Sequence, residues 1–322
     1  MPGMTRYPYQ PIDGSKVRTR PIRERSAKVT IESFARIYEK GSGVAGLIES
    51  LPRILAGVEF REALVALRGA QWKKKPILWG LGGHVVKCGL NPVLCDLMQR
   101  GFVTALALNG AGAIHDFEIA IAGSTSEDVE SELESGSFGM SQETAEWMNE
   151  AAERCLTRGV GLGEAVGSYL DEYPERFPHR EASLLARAYR LRVPVTVHVA
   201  LGTDTIHNHP STDGSCLGKG SLQDFRLFTA IVRDLDEGGV YLNCGSAVIL
   251  PEVFLKAVTL VRNLEFPLRN FTTINLDFIQ HYRPHQNVVK RPTRRSGQGI
   301  ALTGHHELLI PLLAAALIES ES

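Results

Sequence analysis

Ile77-Leu78-Trp79-Gly80-Leu81-Gly82-Gly83 is an apolar run of strand length that ends in glycines. A helical pattern follows over about residues 85–100. Val103-Thr104-Ala105-Leu106-Ala107-Leu108 then forms a second apolar run, ending in Asn109-Gly110-Ala111-Gly112. Short buried strands joined through helices need crossover connections. Such connections are right-handed and build a parallel sheet. The fold class follows: α/β, with a mostly parallel sheet of six or more strands and helices on both faces.

Outward from this unit, strands are expected at 193–201, 239–243 and 271–276, with a short one near 300–302. Helices are expected at 142–158, 162–172, 183–191, 222–235, 251–263 and 307–318. Residues 31–67 carry apolar residues at helical spacing, broken at Gly41 and Gly43, and read as a helical lead-in reaching to about residue 72. Residues 124–138, rich in Glu, read as a solvated excursion or a mobile lid. Residues 1–28 hold seven Lys/Arg against two acidic residues and four prolines. They read as a basic extended arm lying on the body, and 29–322 as one domain.

Hydrophobic residues make up 43% of the 322 and charged residues 22%, with a net charge of −1. This composition gives no overall attraction to nucleic acid or to a membrane surface. No apolar run reaches the roughly 18 residues of a membrane span, and the amino terminus has no apolar signal core, so a cytoplasmic protein is expected. The five cysteines form no C-x-x-C pair and read as free thiols, with Cys244 singled out by its place at a strand end.

Three glycine-rich turns follow strands: Gly80-Leu81-Gly82-Gly83, Asn109-Gly110-Ala111-Gly112 and Asn243-Cys244-Gly245-Ser246. Glycine admits close backbone approach, and a following helix N-terminus favours phosphate, so three such turns at one sheet edge suit a dinucleotide. The G-x-G-x-x-G fingerprint with its later acidic residue is absent. Histidines also gather at predicted strand ends: His84, His115, His207, His209, His281, His285, His305 and His306. Ligands of open α/β sheets bind at those ends, and imidazole changes charge near neutral pH. Asp204, delivered at a strand end beside His207 and His209, suits a ribose hydroxyl, a substrate amine or a three-ligand metal site. Lys290, next to Arg291 in a polar loop, reads from its residues alone as a surface pair.

The order of these motifs resembles the deoxyhypusine synthase family from about residue 75 to 318. The carrying segments are Asn109–Asp116, Val193–Asp204, Cys244–Leu250, Arg283-Pro284 with Val289-Lys290, and Leu308–Leu313. The resemblance implies an NAD-binding fold of that family, a homotetramer with active sites between subunits, and an arm near the site entrance. It also implies alkyl-group transfer through an imine on Lys290. By this resemblance and the turn chemistry, NAD is expected to meet Gly83, His84, Gly110, Ala111, Gly112, Asp116, Asp204, Gly245, Asp277, His305 and His306. Lys290, His115, His209 and His285 are expected to be catalytic. Pro251-Glu252-Val253 and Ala257 depart from the family's pattern, and His115, His209 and His285 or Gln286 stand where acids would hold a polyamine. A small-molecule substrate other than spermidine is therefore expected, with no resident metal. Two rival readings are a metal-dependent hydrolase or lyase using His207, His209 and His281 or His306, and a non-catalytic NAD-binding protein.

Overall fold

The computed structural model describes residues 6–319. Its strands are β1 (Ile77–Leu81), β2 (Ala105–Asn109), β3 (Val195–His198), β4 (Val240–Cys244), β5 (Thr272–Asp277) and β6 (Gln298–Thr303). They form one sheet in the order β3-β2-β1-β4-β5-β6, and every neighbouring pair is parallel. The parallel α/β expectation holds.

Before the sheet come α1 (Gly43–Ser50) and α2 (Ala56–Trp72). Between β1 and β2 lie α3 (Gly83–Lys87) and α4 (Asn91–Gln99). Six α-helices separate β2 from β3: α5 (Gly110–Ala122), α6 (Val129–Ser135), α7 (Gln142–Ala152), α8 (Arg154–Thr157), α9 (Leu162–Glu172) and α10 (Leu184–Leu191). The rest are α11 (Gly214–Asp234), α12 (Ile249–Asn263), the short α13 (Tyr282–Pro284), a π-helix (His285–Lys290) and α14 (His306–Ile318). The single helix expected over 85–100 is two, because Gly89 takes φ +72 and Pro92 opens the next helix. The 124–138 excursion carries α6, which buries none of its residues.

Alternation along each strand divides the core. Ile77, Trp79 and Leu81 of β1 join one apolar cluster with α2, α4, α5, α10 and α14, while Leu78 joins a second with α11, α12 and the π-helix. Trp79 is wholly buried and its indole N–H donates to the Phe102 carbonyl at 2.9 Å, so its polar edge costs nothing. Tyr241 and Phe254 stack across the second face at 4.0 Å. Full burial of a Leu- or Phe-sized side chain stabilises by about 1.5–3 kcal/mol, so these two layers hold the sheet's ends in place.

The arm departs from expectation. Residues 6–32 are exposed throughout, with Tyr7, Tyr9, Ile12 and Ile22 among the exposed apolar side chains, so the arm does not lie buried on the body of its own chain. Residues 1–5 of the arm fall outside the described residues. Among the described residues, no helix is long and apolar enough to cross a membrane.

Candidate functional site

The direction of strand succession reverses between β1 and β4. There the exits of the two strands almost touch. The Gly82 N–H donates to the Cys244 carbonyl at 2.9 Å, and a Cβ on Gly82 would fall 2.1 Å from the Gly245 oxygen. Gly245 itself takes φ +69. Only glycine satisfies both demands, and the two chains pass one another here as bare backbone.

On the β5–β6 side of this reversal stands His306. A Cβ on Gly245 would meet its ring at 3.0 Å. The imidazole is wholly buried, and its Nε2 lies 3.2 Å from the Leu276 carbonyl. A carbonyl only accepts, so Nε2 carries the proton and Nδ1 is left as a buried acceptor with no partner. Burial lowers the His306 pKa, partly offset by Asp277, whose Oδ1 is 3.9 Å away, and the ring is neutral near pH 7. His84 packs edge-on to His306 at 5.6 Å and lies 5.9 Å from Phe278, whose ring is parallel to that of His305 at 6.1 Å. Gly245, Asp277, His84, His305 and His306 thus share one rim.

The β2–β3 side is built on the start of α5. Asn109 caps it by accepting from the Gly112 N–H at 2.9 Å. The Asp204 carboxylate fills the space a side chain on Gly110 would need, 1.9 Å from the ideal Cβ. Its Oδ2 is buried without a partner, and burial pushes its pKa up to about 6. His207 accepts at Nδ1 from the Gly202 and Asp204 N–H groups, at 3.1 and 3.3 Å. Its protonated Nε2 therefore stands 4.0 Å from Asp204 Oδ2. Beside them is a cavity of about 220 Å³ lined by Lys87, Ala111, His115, Glu118 and Asp204, among others. The Thr125 hydroxyl donates to Glu118 and so accepts from His115 Nδ1 at 2.7 Å, which leaves His115 Nε2 as an acceptor. Gly83 joins the two sides. A Cβ there would meet His115 Cδ2 at 3.2 Å and the Ala111 methyl at 3.3 Å.

Four expected residues are not brought to this rim. Asp116 is wholly buried and accepts from Asn91 Nδ2, Ser183 Oγ and the Leu184 and Leu185 N–H groups at 2.5–3.0 Å. Its oxygens are spent on tying α4, α5 and α10 together, so in place of the expected ribose contact it has a structural task. Lys290 is exposed at the end of the π-helix. Val288 accepts from Thr273 Oγ1 at 2.8 Å, and Pro292 accepts from Arg262 at 2.7 Å. Thr273 lies at the entry end of β5, about 13 Å before its exit at Asp277, so Lys290 sits low on the sheet. His209 Nδ1 is engaged by Ser211 at 2.8 Å and does not line the cavity. His285 opens the π-helix, in a segment packed on α12, and does not line the cavity beside Asp204. The rival metal set does not converge either. Among the described residues, the group with ligand atoms close together is His84, Cys88 and Glu307.

Sequence reasoning missed a chain of buried amides. Asn243 donates to Asn275 at 2.8 Å, Asn275 to Gln280 at 2.7 Å, and Gln280 to the Leu302 carbonyl at 3.2 Å, which links the exits of β4, β5 and β6. Two asparagines near the ends of apolar strands were the available signal. Lys87 and Glu118 were also missed; helical spacing from Ala111 places Glu118 on the cavity face.

No family model matches the chain, and no curated protein matches it in sequence. Solved structures do match in fold. A protein assigned as a deoxyhypusine synthase from Entamoeba histolytica is 12% identical, with TM-score 0.51, over 89% of this chain and 96% of its own. A protein assigned as LOR/SDH from Methanococcus maripaludis S2 is 15% identical, with TM-score 0.50, over 83% of this chain and 70% of its own. AgrE, in a ternary complex with ornithine and NAD+, is 14% identical with TM-score 0.50, over 84% of this chain but only 35% of its own. The likeness is one of fold: a six-stranded parallel α/β sheet shared with enzymes, one of which is seen with NAD+ bound.

Proposed function

We propose that this protein is an NAD-dependent enzyme acting on a small molecule at the exit edge of its sheet. The carrying observation is the reversal between β1 and β4, the point where open α/β sheets of this strand order bind dinucleotides. The backbone chemistry of this edge supports such a ligand. The backbone is bare at Gly82, Gly83 and Gly245, and α5 opens at the same edge with amides that favour phosphate. Two buried acceptors without partners, Asp204 Oδ2 and His306 Nδ1, flank it on either side. Asp204, on the β2–β3 half, suits a ribose hydroxyl; His84, Phe278 and His305 give the other half an aromatic wall. NAD, when bound, accepts or returns a hydride. The chain's part is to orient the ligands and to move a proton, for which His115 Nε2 is placed.

Transfer through a lysine imine is the finer form of this reading, and it needs a lysine at the rim. Lys87 lines the cavity beside His115 and Asp204 and replaces Lys290 as the candidate. A homotetramer fits as well, since the exposed arm carries apolar side chains that a neighbouring copy would cover.

The test is calorimetric titration of the full chain with NAD+. The wild type should bind, and Gly83→Val should weaken binding by at least about tenfold, or 1.4 kcal/mol, with the fold intact by circular dichroism. No binding by the wild type, or unchanged affinity in Gly83→Val, would refute the assignment.

A further inference from the structure

We propose that His84, Cys88 and Glu307 bind one transition-metal ion of the zinc class. The site is made by two elements far apart in the chain. His84 and Cys88 stand four residues apart on one turn of helix, since the Cys88 N–H donates to the His84 carbonyl at 2.9 Å, and so face the same side. Glu307, the second residue of α14, reaches in from the other element.

The geometry is already that of a coordination shell. His84 Nε2 lies 3.4 Å from Cys88 Sγ, and Cys88 Sγ lies 3.7 Å from Glu307 Oε2. All three ligand atoms fall within 4.8 Å of one another. A tetrahedral zinc with bonds of about 2.0–2.3 Å holds its ligand atoms roughly 3.5 Å apart. These side chains would therefore close on an ion with little movement. The imidazole nitrogen and the carboxylate oxygen approach the sulfur from the same side, at no more than about a right angle to one another, as ligands of a single ion must.

The donor set fixes the metal class. Sulfur and imidazole nitrogen select zinc and its neighbours over calcium or magnesium, which take oxygen. Three protein ligands leave a fourth position, and His84 and Glu307 are both exposed, so water or a substrate oxygen can reach it. His305 Nδ1, 3.7 Å from the other Glu307 oxygen, can hold the carboxylate in place. Binding replaces the thiol proton with the metal: a metal–sulfur bond forms, the S–H bond breaks, and the proton leaves to solvent. The ion would sit on the same rim as His306, whose ring is 5.6 Å from that of His84, but the site does not depend on NAD being bound there.

The test is titration of the chelator-treated, untagged full chain with Co²⁺, read by absorbance. One equivalent should produce the near-ultraviolet charge-transfer band of a cobalt–thiolate bond. Cys88→Ser should abolish that band, while His84→Ala and Glu307→Gln should each weaken binding by about tenfold or more. Cys216→Ser, in a buried thiol remote from the site, should leave it unchanged. All variants replace exposed or half-buried side chains or a small buried thiol, and circular dichroism confirms their fold. Absence of a thiolate band in the wild type, its survival in Cys88→Ser, or its loss in Cys216→Ser would each overturn the proposal.

Discussion

Asp204→Asn should make the protein more stable while making it bind NAD+ less well, and the gain should depend on pH in a defined direction. Burial lifts the Asp204 carboxyl from its ordinary 3.8 to about 6, so the folded protein holds this proton more tightly than the unfolded chain. Stability from that proton is complete below about pH 4 and is lost as pH rises through about 6. A rise of this size corresponds to at most about 3 kcal/mol, since each pKa unit is worth about 1.36 kcal/mol. Asparagine fills the same volume beside Gly110 and cannot ionise. It therefore escapes the penalty. Urea denaturation of both proteins between pH 4.5 and 8 measures the difference, in which the titration of every shared group cancels. With an m-value of about 3 kcal/mol/M, the midpoint of Asp204→Asn should exceed that of the wild type by up to about 1 M at pH 8. The gap should close toward pH 4.5. Parallel curves, or a variant less stable at pH 8, would refute the idea that a buried carboxylate with an unpartnered oxygen is kept there for a ligand.

Three further outcomes are expected. Asp116→Ala strands four buried donors and should cost about 3–5 kcal/mol of stability in urea titrations, where Asp116→Asn keeps some acceptors and should cost less. Lys290→Ala should leave NAD+ affinity within twofold of wild type, as expected of a side chain at the far end of the sheet; and if borohydride traps an amine or aldehyde adduct, peptide mapping should place it on Lys87. Gly245→Ala puts a side chain at φ +69 and 3.0 Å from His306, and should lower the melting temperature by an amount equivalent to about 1–2 kcal/mol while weakening NAD+ binding.

The sheet was legible because its strands are buried on both faces and so read as unbroken apolar runs between glycine turns. Gly82-Gly83 and Gly245 were legible as glycine turns at strand ends, but not as the place where the strand order reverses; what that crossing requires is two backbones passing without side chains, which spacing alone does not encode. Asp116 was misread because neighbours in sequence part company on a helix. Ala111, Ile114, His115 and Glu118 share the cavity face of α5, whereas Ala113, Asp116, Phe117 and Ala120 share the buried one. That phase was available in the pattern and was overruled by proximity to the glycine turn. Lys290 could not have been placed from its residues. The segment looked like a loop, yet it winds as a π-helix down the flank of β5, and that winding follows from packing against α12 and β6. The convergence of His84 and Cys88 with Glu307 likewise depends on how α14 docks, across 219 residues of chain.

The knot at Asp116 has a further consequence. One carboxylate bolts the helix that carries the glycine rim to two others, so that rim is held in shape by the core rather than by what meets it. A visitor then finds its cradle ready-made and loses little freedom-of-motion penalty beyond its own. Part of the affinity of such a site would be settled before the encounter, by residues that never meet the guest.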